Sequence, residues 1–360
     1  MIQGGAIMRT RRLQSFSLRR IFIVMLLSIC LPLSLSGCAS KNHDTKKNTD
    51  KVKEAIVLAD GTWATIQLHN RLIGYIIQNG YGYPVEYLSG EELPLLRALA
   101  GNDIQIMMEV WTGDFPVEWK TMQKELKVKN MGTNYAGAVQ GWFVPAYMIA
   151  GDVERGIEPV APDLKYVSDL PRFGSLFAKN PSSQKSLLNN APSTWVAADI
   201  NRTKLKAYGL SSYYTLASTN SESDLTKSLL RYYEKGTPWL GYSRDPGLIT
   251  AGQKMIMLRE PPYDELLWQQ HACAYPVTDV LIGANRSLEN TAPELLDLLD
   301  KYETTYDQNI QLLQYLSKYA GNKNKAVIAF MKDKPDIWNA WVPDEVIKKV
   351  DTALAAEVVE

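Results

Sequence analysis

From Glu54 onward two periodicities alternate, and that alternation restricts the fold more than any other feature. "EAIVLA" (54–59) has the length and composition of a buried strand, and "TIQLHNRLIGYIIQNG" repeats Ile66, Ile73, Ile76 and Ile77 at helical spacing until Gly80 stops it. "YPVEYL" (83–88) is a second strand, "EELPLLRALAGN" a second helix and "DIQIMMEV" (103–110) a third strand. Strands separated by helices in this order predict a mostly parallel sheet.

The pattern resumes further along. "GWFVPAYMI" (141–149) reads as a strand, the segments near 197–207 and 223–234 as helices, and "PWLGY" (238–242) and 277–284 as strands. "APELLDLLDKYETTYDQNIQLLQYLSKY" then predicts helices bundled on the sheet. The simplest arrangement is two α/β lobes, the second inserted into the first.

The N-terminus reads as an address. Arg9, Arg11, Arg12, Arg19 and Arg20 precede an apolar run from Ile21 to Leu35 that is short for a membrane span, so residues 1–37 are read as a secretory signal. It ends in Leu35-Ser36-Gly37-Cys38, which resembles the lipobox of bacterial lipoproteins and implies a lipid anchor on Cys38. The polar, aperiodic segment to residue 52 makes 38–52 a flexible tether.

Charge and cysteine usage exclude several function classes. The 39 basic and 39 acidic residues balance, but five of the basic ones lie in the signal, which leaves the mature chain with 34 − 39, about five negative charges. That argues against nucleic acid as a partner. Cys30 leaves with the signal and Cys38 carries lipid, so Cys273 stands alone and no disulfide framework is possible. His43, His69 and His271 are scattered away from metal-ligand spacing, so neither metal nor cofactor is expected.

In open parallel sheets, ligands bind beyond the carboxyl ends of the strands. Trp63 follows the first strand, Trp111 follows the third, and Trp195 in "NNAPSTWVAADI" stands at a loop-to-helix junction. Trp239 reads as a core residue inside a strand, and Trp119, Trp268, Trp338 and Trp341 as packing residues on helices. Indoles gathered in a cleft suit a sugar or a quaternary ammonium, since the ring quadrupole attracts a cation that has no N–H to satisfy. The amino terminus of the helix starting near Thr65 would offer free backbone N–H groups to a ligand carboxylate.

Several ordered motifs carry a resemblance over Glu54 to about Asp351: "DGTW", "MMEVWTGD", "GTNYAGAVQGWFVPAYMI", "NAPSTW", "EKGTPWLGYSRDP", "ACAYPVTDVLIGANRSLENTAPELLDLL" and "DIWNAWVPDEV". Together they resemble the substrate-binding proteins of ABC importers for glycine betaine, proline betaine and choline. The resemblance implies a two-lobed type II periplasmic-binding-protein fold, with lobe I at 53–143 plus 268–360, lobe II at 144–267 and a ligand cleft between them. It further implies a quaternary amine or betaine held in an aromatic box, delivery to the permease and ATPase subunits of an importer, and an extracytoplasmic, lipid-anchored location. No glycine-rich Walker loop is present, so the energy source is another chain.

Carried over by position, Trp63, Trp111 and Trp195 are the family's box tryptophans, and Tyr135 falls in the region that supplies a further ring. Glu109, two residues before Trp111, either balances ligand charge or is a satisfied strand-edge carboxylate; Asp60 is a ligand contact or a helix cap. One motif departs from the family. Where relatives read Tyr-x-Trp-x-Pro, this chain has Tyr242-Ser243-Arg244-Asp245-Pro246, so a guanidinium replaces an expected ring. Arg244 would repel a quaternary ammonium unless Asp245 or Glu109 compensates; it could pair with a ligand carboxylate, or lie at the surface bonded to Asp245. Thr65 stands where some choline binders carry aspartate, which favours betaines. The alternative function is a carbohydrate-active enzyme or sugar-binding protein using the same cleft. Glu109 and Asp114 are its candidate acids, although no second carboxylate at a distant strand end stands out.

Overall fold

A computed structural model describes residues 53–180 and 182–358. The signal, Cys38 and the tether lie outside the described residues. Strand β1 (Ile56–Asp60) is followed by helix α1 (Ala64–Ile76), strand β2 (Val85–Ser89), helix α2 (Glu92–Gly101) and strand β3 (Ile106–Val110), in the order the sequence predicts. β1 pairs in parallel with β2, Ile56 opposite Val85, and with β3, Leu58 opposite Ile106. α1 does not stop at Gly80: it runs on as a π-turn, Ile77–Tyr81, and ends at Gly82, whose φ of 74° is a left-handed conformation suited to glycine.

The strand expected at 141–149 is the end of a much longer one. β4 (Val128–Pro145) spans 18 residues, and a short helix, Tyr147–Ala150, takes up the remainder of that motif. After helix α3 (Pro116–Lys124), the first part of β4 runs antiparallel to β9 (Thr278–Asn285), with Tyr135 opposite Val280. Its last part pairs with β7 (Gly241–Asp245) and β8 (Met255–Met257).

β5 (Ser186–Pro192) and β6 (Tyr214–Thr219) complete the sheet as a second parallel βαβ unit, joined by the helix Val196–Ala207. Trp239 lies just before β7 rather than inside a strand, and it is buried. Its ring covers Gly241, where a Cβ would come within 2.4 Å of the indole.

Among the described residues the sheet has nine strands in the order β2-β1-β3-β9-β4-β7-β5-β6, with β8 on β4. The parallel pairings lie at the two flanks and the antiparallel ones in the middle, so the sheet is mixed rather than mostly parallel. Two apolar clusters form the core. One joins α1 to the helices Pro293–Lys301, Tyr306–Lys318 and Lys323–Asp333, the bundle the sequence predicts. The other gathers Trp63, Trp111, Tyr135, Trp142, Trp195, Trp239 and Tyr242 from both flanks. Among the described residues no helix is long and apolar enough to cross a membrane.

Candidate functional site

Trp63 is the residue immediately before α1, with extended backbone (φ −120°, ψ 154°). Its ring folds back over Gly61, where a Cβ would lie 2.4 Å from the indole, so the glycine of "DGTW" is required by that contact. Trp111 directly follows β3, and Trp195 directly precedes the helix Val196–Ala207. The fold brings these three and two tyrosines together. Trp63 and Trp195 meet edge to face at 6.3 Å, Trp111 and Tyr135 at 6.4 Å, and Trp195 and Tyr242 at 6.3 Å. Trp195 Nε1 also donates to Thr62 Oγ1 at 2.8 Å, tying the loop after β5 to the loop after β1.

Glu109 organises one side of this group. Its Oε2 accepts hydrogen bonds from Trp63 Nε1 (2.6 Å), Trp111 Nε1 (3.1 Å) and the Tyr135 hydroxyl (3.1 Å). Its Oε1 has no hydrogen-bond partner and lies 3.8 Å from His69 Nε2. Tyr302 and Asn309 hold the two nitrogens of that buried histidine. Burial lowers the His69 pKa, outweighing the opposing pull of Glu109 and Asn309, so the ring is neutral near pH 7. Burial and Glu109 together raise the Tyr135 pKa and keep its hydroxyl a donor.

Arg244 is not at the surface and does not bond Asp245. Its residue is 5% exposed, and the Asp245 carboxylate accepts instead from the Tyr306 hydroxyl at 2.9 Å. The guanidinium carbon lies 4.3 Å from the centre of the Trp111 ring, 4.5 Å from Trp195 and 5.2 Å from Trp63. These are cation–π distances. Arg244 Nη2 donates to Asp114 Oδ2 at 3.2 Å and lies 3.5 Å from Glu92 Oε2, while Nε reaches the Tyr242 hydroxyl at 3.3 Å. Tyr242 donates to Gln140 Oε1, and Gln140 Nε2 donates to Asp114 Oδ1. Nη1 is buried and has no partner.

Burial would weaken the charge on Arg244, but Tyr242, Glu92 and Asp114 outweigh it and raise its pKa further. Burial drives the carboxyl groups the other way. Glu92 is pushed up to about 8 despite Arg244, and Asp114 is raised from the same cause.

The amino end of α1 is not free. Glu222, first residue of the helix Glu222–Tyr233, accepts the Ala64 N–H on Oε2 at 2.7 Å. Burial raises its pKa to about 7, with the Ala64 bond and Arg244 pulling it down. Asp60 has its carboxylate on Arg71, through two guanidinium nitrogens, and on Asn70. Among the described residues no hydrogen bond joins Asp60 to the ring cluster.

The sequence pointed to the rings and to Glu109, Asp114 and Arg244, but not to Glu92 and Glu222. Glu92 and Glu222 each open a helix, where acids are commonplace, so nothing local marks them as members of a site. Glu92 and Asp114 are engaged by Arg244, and Glu109 by three donors. Among the described residues no group of three or more His, Cys, Asp or Glu could hold a metal ion.

The sequence model of one family, the substrate-binding domain of ABC-type glycine betaine transport systems (OpuAC), matches residues 54–333, most of the chain and every residue of the cluster. The chain belongs to this family. As a substrate-binding domain it is the ligand-capturing part of an ABC transport system, and members of the family work outside the cytoplasm.

Solved structures agree on the fold. The chain is similar to a glycine betaine/L-proline-binding protein (ProX) from Borrelia burgdorferi, with a TM-score of 0.65 at 19% identity over 82% of this chain and 100% of that one. It is similar to a choline-binding protein of an ABC transporter in complex with choline, with a TM-score of 0.64 at 15% identity over 83% and 98%. It is also similar to lactococcal OpuAC in its closed-liganded conformation with glycine betaine, with a TM-score of 0.61 at 15% identity over 81% and 100%. Among curated protein sequences, none matches this one.

Proposed function

We propose that this OpuAC-family protein captures a quaternary-ammonium solute, such as glycine betaine, proline betaine or choline, and passes it to the permease and ATPase subunits of an ABC importer. The observation that carries the reading is the environment of Arg244: three indoles, from Trp63, Trp111 and Trp195, already surround a buried cation at 4.3–5.2 Å. A methylated ammonium gains about 0.5–2 kcal/mol per ring in such surroundings. Tyr135 extends the cage, and Glu109, fixed by three donors, supplies negative charge beside it.

In this reading the ligand enters between lobe I, residues 53–143 with 268–360, and lobe II, residues 144–267. Trp63, Trp111 and Tyr135 then belong to one lobe and Trp195, Tyr242 and Arg244 to the other, so closure assembles the cage. The protein is a binder and not an enzyme, held outside the cytoplasm on a bacterial membrane by lipid on Cys38. The family match and the prior engagement of the clustered acids do not favour the carbohydrate reading.

A thermal-shift panel tests the assignment. Glycine betaine, proline betaine, choline or carnitine raises the melting temperature at millimolar concentration, and simple sugars and glycosides do not. No shift with any methylated amine sinks the ligand class; turnover of a glycoside sinks the binding-protein reading altogether.

A further inference from the structure

Two side chains of the segment 144–267 stand where the two ends of a betaine would go. The Arg244 guanidinium fills the tryptophan cage, and the Glu222 carboxylate caps the first N–H of α1, which the sequence had offered to a ligand carboxylate. Of the groups that receive them, Trp63, Trp111 and the Ala64 N–H come from the segment 53–143, and Trp195 comes from the same segment as Arg244. Cation and anion are therefore both supplied from one side of the cleft to the other, as a bound zwitterion would supply them.

We infer that Arg244 and Glu222 are a built-in stand-in for the ligand, and that a solute binds by displacing them, Arg244 from the cage and Glu222 from the helix terminus. This rests on the reading of the cage as a quaternary-ammonium site. A second cation cannot share the cage with the guanidinium, because two full charges in contact with the same rings repel each other at short range.

The stand-in also fits imperfectly. Arg244 Nη1, Glu92 Oε1 and Glu109 Oε1 are buried without hydrogen-bond partners, and unsatisfied polar atoms of this kind disfavour the state that contains them. Glu92 and Asp114 both engage the guanidinium through Nη2, so Arg244 has an acidic anchor besides the rings of the cage.

The two residues then divide selectivity between them. Arg244 opposes every quaternary ammonium. Glu222 opposes only a ligand that carries its own carboxylate, and its negative charge assists a ligand that is purely cationic.

Calorimetric titration of the protein with glycine betaine and with choline tests this. Arg244→Gln is expected to bind both at least tenfold more tightly than the parent. Glu222→Ala is expected to tighten glycine betaine and not choline. Because Arg244→Gln leaves Asp114 without its cation, the double variant Arg244→Gln/Asp114→Asn, which removes both charges, should show the same gain. If the parent binds and Arg244→Gln and the double variant bind no more tightly, the stand-in idea is overturned while the ligand class survives. Loss of glycine betaine binding in Arg244→Gln with choline unchanged also overturns it, by making Arg244 a direct carboxylate partner. Binding of neither ligand by any of these proteins overturns the ligand class and the inference with it.

Discussion

Trp63 Nε1 and Glu109 Oε2 are 2.6 Å apart, a charge-assisted hydrogen bond between the loop after β1 and the end of β3. The same oxygen takes Trp111 and Tyr135, so one carboxylate orients three rings that are scattered over the sequence. Glu109→Gln keeps the shape but offers an amide where a carboxylate accepted three donors. Hydrogen bonds to a charged group are worth about 1.5–3 kcal/mol each, so ligand affinity should fall by at least about tenfold. Calorimetry on the purified variant checks this, and unchanged affinity would show that the rings hold their positions by packing alone.

Burial raises two carboxyl groups from 4.5, Glu92 to about 8 and Glu222 to about 7. Between 4.5 and those values the folded protein holds more protons than the unfolded chain, so stability falls as pH rises. Their stabilising contribution is complete below the unfolded value and is lost as pH passes through about 7 and about 8. His69, lowered from 6.5 by burial, acts in the opposite sense below that pH. The test window is therefore about pH 6.5 to 8.5. There the melting temperature of the ligand-free protein should decline with rising pH, and Glu92→Gln should flatten the slope. A melting temperature that climbs across the window contradicts the assignment.

Asp60 and Arg71 form a two-point ion pair, with Asp60 almost wholly buried. Removing one member strands the other, at a cost of about 3 kcal/mol for a buried pair. Asp60→Ala should lower the denaturant midpoint by a corresponding amount and change ligand affinity by less than about threefold. A large loss of affinity in a protein of unchanged stability would instead put Asp60 on the ligand.

The bond from Trp195 Nε1 to Thr62 Oγ1 links the second parallel unit to the loop that carries Trp63. Thr62→Val removes the acceptor and keeps the volume. The loss of one hydrogen bond, about 1 kcal/mol, predicts a roughly fivefold weaker ligand if the link belongs to the closed, binding form. A fluorescence titration reads the change directly.

The rings were legible because each follows a strand or precedes a helix in a short motif: "DGTW", "EVWTG" and "APSTW" put Trp63, Trp111 and Trp195 at loop-to-element junctions that periodicity alone locates. The full extent of β4 was not legible. Its stretch from Val128 to Gln140 includes Gly132, Gly137 and several polar residues, and the strand is specified by pairing with β9 rather than by its own composition. The setting of Arg244 was hidden for a similar reason. Its partners Glu92 and Asp114 lie 152 and 130 positions away, and only the folded chain brings them to it. Sequence could flag the departure at Arg244, but not that the guanidinium would fill the cage from which a ring was missing.

The tryptophan cage is the feature on which ligand capture depends most directly. Titrating intrinsic fluorescence with glycine betaine and choline, for the parent and for Trp63→Ala, Trp111→Ala and Trp195→Ala, measures it. Saturable quenching by at least one ligand in the parent, with most of the affinity lost in Trp111→Ala and Trp195→Ala, is the predicted result. Parent-like affinity in all three variants would contradict it.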